Sequence, residues 1–181
     1  MRFTLDEPEF YRTVHISYSQ DRKYWLSATD GDIYRVKRLR GAGISLLGFD
    51  IDGKKAQALA ALGGTPATSV AQIATECDQV VLAVFNTDQV EDTVDALVNA
   101  RPEGRPALIA CCVSTCDPDR VAALVARTSE KKLRYVESPV SGTSDQTEKG
   151  DALGMIGGDP AAANEAKAVL DAICPRRHHL G

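Results

Sequence analysis

Short apolar runs alternate along this chain with longer segments whose apolar residues recur every three to four positions. The runs Ile44 to Phe49, Val80 to Phe85, Ala107 to Val113, Arg134 to Glu137 and Leu153 to Ile156 predict strands. The helical period predicts helices over Lys54 to Leu62, Val70 to Cys77, Gln89 to Ala100, Pro118 to Arg127 and Pro160 to Ile173. Ser69, Asp88, Asp117 and Asp159 can each cap free N–H groups at a helix start, and Pro118 and Pro160 suit the first helical position. Such alternation is the pattern of a parallel sheet covered by crossover helices. The expected fold is α/β: a Rossmann-type, doubly wound, mainly parallel sheet with flanking helices over residues 36 to 174. Ser114, Thr115 and Ser141 are expected to meet at its carboxyl edge.

Composition adds a boundary. Seven of the ten aromatic residues fall within the first 34 positions, whereas the rest is rich in Ala and Val. Residues 1–34 therefore read as an atypical segment with no assigned role, and residues 35–181 as the domain. A length of 181 residues with 44% hydrophobic side chains fits one α/β domain. The net charge of −4 argues against a nucleic-acid partner, because neutralising phosphates needs a basic face. No run approaches the roughly 18 apolar residues of a membrane span, and the charged N-terminus lacks a signal-peptide core, so a cytoplasmic location is expected. Five cysteines, two of them adjacent in an apolar run, predict buried thiols and no disulfide framework.

Three places carry candidate chemistry. Asp50 follows a strand where an acidic residue can accept hydrogen bonds from ribose hydroxyls and repel a 2′-phosphate, which favours NAD over NADP. A solvated turn carboxylate, with Asp52, is the competing reading. Ser114 and Thr115 precede Asp117-Pro118 at a strand's carboxyl end, where open α/β sheets bind ligands; an ordinary strand-to-helix turn uses the same residues. The most specific signal is Ser138-Pro139-Val140-Ser141-Gly142, followed by Gly150 and then Met155-Ile156-Gly157-Gly158. His178 and His179 are adjacent with no partner at ligand spacing, so no metal site is expected.

That last series resembles the β-hydroxyacid dehydrogenase family (3-hydroxyisobutyrate dehydrogenase-like), whose motifs read A-P-V-S-G-G, A-x-x-G and M-V-G-G. The family's S-T-x-x-P matches Ser114 to Pro118, and its fourth-strand cofactor loop matches Val84 to Val90, so the resemblance runs from about Leu39 to Gly181. It implies that Asp50 contacts the adenosine ribose, Val84 and Phe85 line the cofactor, and Thr115 lies beside the nicotinamide. It further implies that Ser141 and Gly142, with Thr143 at the family's second glycine, hold the substrate carboxylate and hydroxyl, Ser141 orienting the substrate. Small residues let backbone N–H groups approach an anion there.

Two departures stand beside the match. Counted back from Gly43, the fingerprint G-x-G-x-x-G falls on Ser27, Thr29 and Asp32, with Asp21 to Leu26 as a poor first strand and Asp30 and Asp32 opposing the pyrophosphate. The family also continues beyond the position of Gly181 into an all-α domain bearing a catalytic lysine, which neither Lys54, Lys149 nor Lys167 matches. The resemblance implies an NAD-dependent oxidoreductase, NADP being less expected, acting on a small hydroxy acid such as 3-hydroxyisobutyrate, threonate or glycerate, from a chain expected to be incomplete. A homodimer is expected only of a full-length form. The alternative is a non-catalytic Rossmann module that binds a nucleotide or a protein. A Ser141 nucleophile is disfavoured, since no G-x-S-x-G elbow is present.

Overall fold

The computed structural model describes residues 13–17, 25–50, 53–128 and 132–180. In chain order these form β1 (Thr13–Ser17), α1 (Trp25–Gly41), β2 (Leu46–Asp50), α2 (Gly53–Ala61), β3 (Thr65–Pro66) and α3 (Val70–Glu76). Next come β4 (Gln79–Ala83), α4 (Thr87–Ala100), β5 (Leu108–Cys112), α5 (Pro118–Arg127), β6 (Leu133–Glu137) and β7 (Val140–Ser141). The chain closes with α6 (Ser144–Lys149), β8 (Leu153–Gly158), α7 (Pro160–Glu165), α8 (Lys167–Ile173) and β9 (Arg176–His179).

The sheet order is β3-β2-β1-β4-β5-β6-β8, with β1 to β6 parallel and β8 antiparallel to β6. β7 resumes the line of β6 along β8: Val136, Glu137, Val140 and Ser141 face Gly158, Gly157, Gly154 and Leu153 in one unbroken register. Gly158 sits at φ +100°, and a Cβ there would lie 2.9 Å from the Tyr135 carbonyl oxygen, so only glycine lets β8 come this close to β6. β9 pairs with β8 on its other side.

Both faces of the sheet are covered, which explains the apolar runs. Successive strand residues point to opposite faces. Val80, Leu82, Leu108, Ala110 and Cys112 pack under α3, α4 and α5, together with Ile73, Val94 and Leu124. On the other face, Val81 and Leu46 join Val36 and Leu39 of α1 and Val169 and Ile173 of α8. Ile109, Cys111, Val136 and Ile156 meet Ala162 and Ala163 of α7. This is the doubly wound arrangement, and each buried Val or Leu contributes about 1.5–3 kcal/mol. Ser69, Asp117 and Asp159 cap α3, α5 and α7 as their positions suggest.

Several local expectations change. α4 begins at Thr87, before Gln89, and its cap is Asn86, whose side chain accepts from Gln89 N at 2.9 Å; Asp88 lies inside the first turn. The single helix expected over Pro160 to Ile173 is divided at Ala166 (φ −81°, ψ 6°), and the Glu165 carbonyl there accepts from Gln79 Nε2. The first strand is Thr13–Ser17, not the charged stretch Asp21 to Leu26. It lies between β2 and β4, paired with both, so the sheet reaches into residues 1–34. Four of the five cysteines are buried, as expected, but Cys116 is partly exposed. Among the described residues no helix is long and apolar enough to cross a membrane.

Candidate functional site

Parallel registry brings the ends of five strands to one edge. Ser17 faces both Asp50 and Ala83, Leu82 faces Cys112, and Cys112 faces Glu137. The chain leaves that edge through Val84 to Asn86, through Val113 to Asp117, and through Ser138 to Thr143. Thr115 and Ser141 therefore lie beyond the same carboxyl edge, Ser141 further out on the β6–β7 line. Ligands of open α/β sheets bind outside this edge.

Ser114 works as a tie between two of these loops. Its Oγ donates to the Val84 carbonyl at 2.6 Å and accepts from Val84 N at 2.9 Å, while Asp117 N donates to Thr87 Oγ1 at 3.0 Å. Its hydroxyl is thus committed to the backbone, whereas the neighbouring Thr115 is exposed. Ser114→Ala removes both bonds and leaves a half-buried N–H and C=O without partners. We expect a loss of about 1–3 kcal/mol, read by urea denaturation, and an unchanged midpoint would show that the tie is dispensable.

The β4–α4 loop presents an apolar ring. Val84 is buried, but Phe85 is 68% exposed, with its N–H held by Gln89 Oε1 at 2.9 Å. An exposed phenyl on a fixed backbone offers a flat surface to a ring-bearing ligand. At the far side, Asp50 closes β2 with its side chain 6% exposed and its Oδ2 3.2 Å from Lys55 Nζ on α2. Lys55 was not singled out from the sequence; its place in the first turn after an acidic strand end is the signal that could have found it.

Beyond β7, Gly142 has φ +151°, and a Cβ there would come within 3.0 Å of Ala152 Cβ. Ser141, Gly142 and Thr143 are all exposed. Thr143 caps α6: its Oγ1 accepts from Gln146 N at 3.3 Å, and its N–H donates to Gln146 Oε1 at 2.8 Å. That capping box defines the orientation of the turn.

Beneath the β5 turn lies a thiol pair that the motif reading passed over, although Cys-x-x-x-Cys spanning a strand end was visible. Cys112 and Cys116 sulfurs are 3.9 Å apart. Hydrogen bonding from the Cys116 thiol, opposed by burial and aided by the Tyr135 hydroxyl, draws Cys112 below the ordinary thiol range. The same hydrogen bond pushes Cys116 up, and burial followed by the Cys112 charge pushes Tyr135 up.

The phosphate-binding turn of a dinucleotide fold follows its first strand. β1 ends at Ser17 and α1 starts at Trp25, so Ser27, Thr29, Asp30 and Asp32 stand on α1 and do not directly follow the first strand. The register counted back from Gly43 is therefore wrong, because it took the first connection to have the family's length. Tyr18 to Tyr24 lies outside the described residues; its sequence has no glycine and carries Asp21, Arg22 and Lys23.

The family described as the NAD-binding domain of 6-phosphogluconate dehydrogenase matches residues 35–181. The chain belongs to this family. Among curated relatives of this NAD-binding-domain chain, L-threonate dehydrogenase of Cupriavidus necator is 29% identical over 146 residues, covering 81% of this chain and 49% of the relative. Mitochondrial 3-hydroxyisobutyrate dehydrogenase of Drosophila melanogaster is 31% identical over 140 residues, covering 77% and 43%. The chain thus spans about half the length of the curated relatives it matches. The solved 3-hydroxyisobutyrate dehydrogenase of Mycobacterium tuberculosis, with L-serine, superposes with a TM-score of 0.80 at 22% identity, covering 94% of this chain and 55% of that one. This likeness confirms the Rossmann-type fold.

Proposed function

We propose that this NAD-binding-domain chain supplies the dinucleotide half of a β-hydroxyacid dehydrogenase. The observation that carries the reading is the convergence of Asp50, Phe85, Thr115 and Ser141 at one carboxyl edge in a chain of this family. Asp50 holds the adenosine ribose, Val84 and Phe85 flank the cofactor, and Thr115 stands beside the nicotinamide. Ser141, Gly142 and Thr143 face the substrate's carboxylate and hydroxyl, Ser141 orienting it. NAD, when bound, supplies hydride chemistry at the nicotinamide. The residues of this chain hold and orient it, with Ser114 keeping the two central loops in step.

The substrate class is a small β-hydroxy acid of the 3-hydroxyisobutyrate, threonate or glycerate kind, in keeping with the relatives' names. A reading as a non-catalytic Rossmann module draws support from the sequence that follows β1, residues 18–24, which holds no glycine. The central pyrophosphate anchor of a glycine loop and helix N-terminus is worth up to about 2 kcal/mol in dipole energy alone. Without it, we expect NADH to bind with a dissociation constant on the order of millimolar.

Amide chemical-shift titration tests the site. NADH is expected to move Asp50, Val84, Phe85 and Thr115, and a hydroxy acid added to the NADH complex is expected to move Ser141 to Thr143. Shifts confined to other edges of the sheet would overturn the assignment. Micromolar binding would mean that residues 18–24 build a phosphate site without glycine.

A further inference from the structure

The thiols of Cys112 and Cys116 bracket the turn that leaves β5. Their sulfurs lie 3.9 Å apart, and each is 3.8 Å from the Ser114 carbonyl oxygen between them in sequence. Cys112 is buried at the end of its strand, while Cys116 is partly exposed and outside any helix or strand. The Tyr135 hydroxyl is buried with no hydrogen-bond partner, and it is near enough to the Cys112 sulfur to favour its thiolate. The other three cysteines have a different environment. Burial pushes Cys77 and Cys111 up to about 12 and Cys174 up to about 11, which leaves them as inert thiols at neutral pH.

We infer that Cys112 and Cys116 form a reactive dithiol, a modification site that a hydroperoxide converts into an intramolecular disulfide. A disulfide needs its sulfurs about 2.05 Å apart, so the pair has roughly 1.9 Å to close. The partner that must move, Cys116, sits in a turn.

The chemistry balances with hydrogen peroxide as oxidant. Cys112 ionises first, giving its proton to solvent, and the thiolate is held by the Cys116 thiol and the Tyr135 hydroxyl. Peroxide reaches the sulfur of the partly exposed Cys116, which attacks one oxygen as its proton passes to Cys112. The O–O bond breaks, an S–O bond forms, and the departing hydroxide takes the proton back from Cys112 and leaves as water. The Cys112 thiolate then attacks the Cys116 sulfenic sulfur. The S–S bond forms, the S–O bond breaks, and the expelled hydroxide takes a proton from solvent. Two thiols have lost two electrons, and one peroxide has become two waters.

Dose the whole 181-residue chain with hydrogen peroxide, denature it, alkylate it and map the peptides. Alkylatable thiols are expected to fall from five to three, with a Cys112–Cys116 linkage and no covalent dimer. The initial rate is expected to follow the thiolate fraction and to level off at a lower pH than for an ordinary thiol near 8.5. Cys116→Ser, at the partly exposed position, is expected to keep all four remaining thiols alkylatable. Cys112→Ser removes the thiolate that takes the Cys116 proton, so oxidation of Cys116 is expected to slow, and the sulfenic acid that does form stays unlinked and is trapped by dimedone.

Five alkylatable thiols surviving a dose that oxidises glutathione would overturn the proposal. So would a linkage through Cys111, loss of two thiols in Cys116→Ser, or a rate still climbing between pH 8 and pH 9 as for an ordinary thiol near 8.5. If Cys112→Ser does not fold, the mapped linkage, the Cys116→Ser count and the pH profile still decide.

Discussion

Asp50→Ala is expected to weaken NADH binding about tenfold to a hundredfold while leaving NADPH binding unchanged or tighter. Hydrogen bonds to a charged group contribute about 1.5–3 kcal/mol, and about 1.4 kcal/mol is tenfold in affinity. Asp50 can direct that interaction because its side chain is 6% exposed and its Oδ2 is 3.2 Å from Lys55 Nζ. The same carboxylate repels a 2′-phosphate by about 1 kcal/mol per unit charge at about 4 Å in water, and by more where the edge is partly dry. Removing it leaves the Lys55 ammonium on that side of the site without the Asp50 carboxylate. A 2′-phosphate gains from this change, and a ribose hydroxyl loses. Parallel titrations of the parent chain and Asp50→Ala with both nucleotides give the ratio directly. Equal losses for the two, or none for either, would place the ribose elsewhere.

Arg101→Leu is expected to cost about 3–5 kcal/mol of folding free energy, the range for removing one member of a buried charged network. Arg101 is only 2% exposed, yet its guanidinium donates to four backbone contacts: Ala74 O at 2.7 Å, Cys77 O at 2.6 Å, and Pro106 O from both Nε (3.1 Å) and Nη2 (2.7 Å). It also faces Asp78 at 3.6 Å. Burial lowers its affinity for the proton, with the nearby Arg105 adding to the effect and Asp78 opposing it. One side chain thus closes the end of α3 and the approach to β5. Leucine fills part of the space but strands three carbonyls without donors. At this chain length about 1 kcal/mol corresponds to roughly 2–4 °C, so Tm is expected to fall by about 10 °C. Arg101→Lys is expected to recover little, because a single ammonium cannot span carbonyls on opposite sides of a planar fork. Thermal and urea denaturation of both variants would decide, and a loss below about 1 kcal/mol for Arg101→Leu would show that water replaces the guanidinium.

Arg101 was invisible as a structural anchor in the sequence, where it ends a helix beside a proline like many solvated arginines. Its three acceptor carbonyls lie up to 27 residues away. The same reason hides Ser114: a hydroxyl before Asp117-Pro118 is legible, but its partner Val84 lies 30 residues back. The apposition of Cys112 and Cys116 likewise depends on how tightly the turn between them closes.

What the sequence determined by itself were the properties that repeat locally. The apolar runs placed β2, β4, β5, β6 and β8, because strands covered on both faces are apolar along their central positions, with Asp50, Gln79, Arg134 and Glu137 at or near the strand ends. Ser69, and Asp117 and Asp159 each followed by a proline, marked helix starts, because capping is a contact within three residues. The motif from Ser138 to Gly158 pointed to the family that the match over residues 35–181 shows. Only the tertiary structure decided where the first strand lies. Thr13–Ser17 is fixed by ladders to β2 and β4, and counting back along the chain could not see them. The two-residue strands β3 and β7, and the Arg-His strand β9, have no strand signal of their own. They exist because a neighbouring edge offers backbone partners, and such hydrogen bonds are indifferent to side-chain pattern.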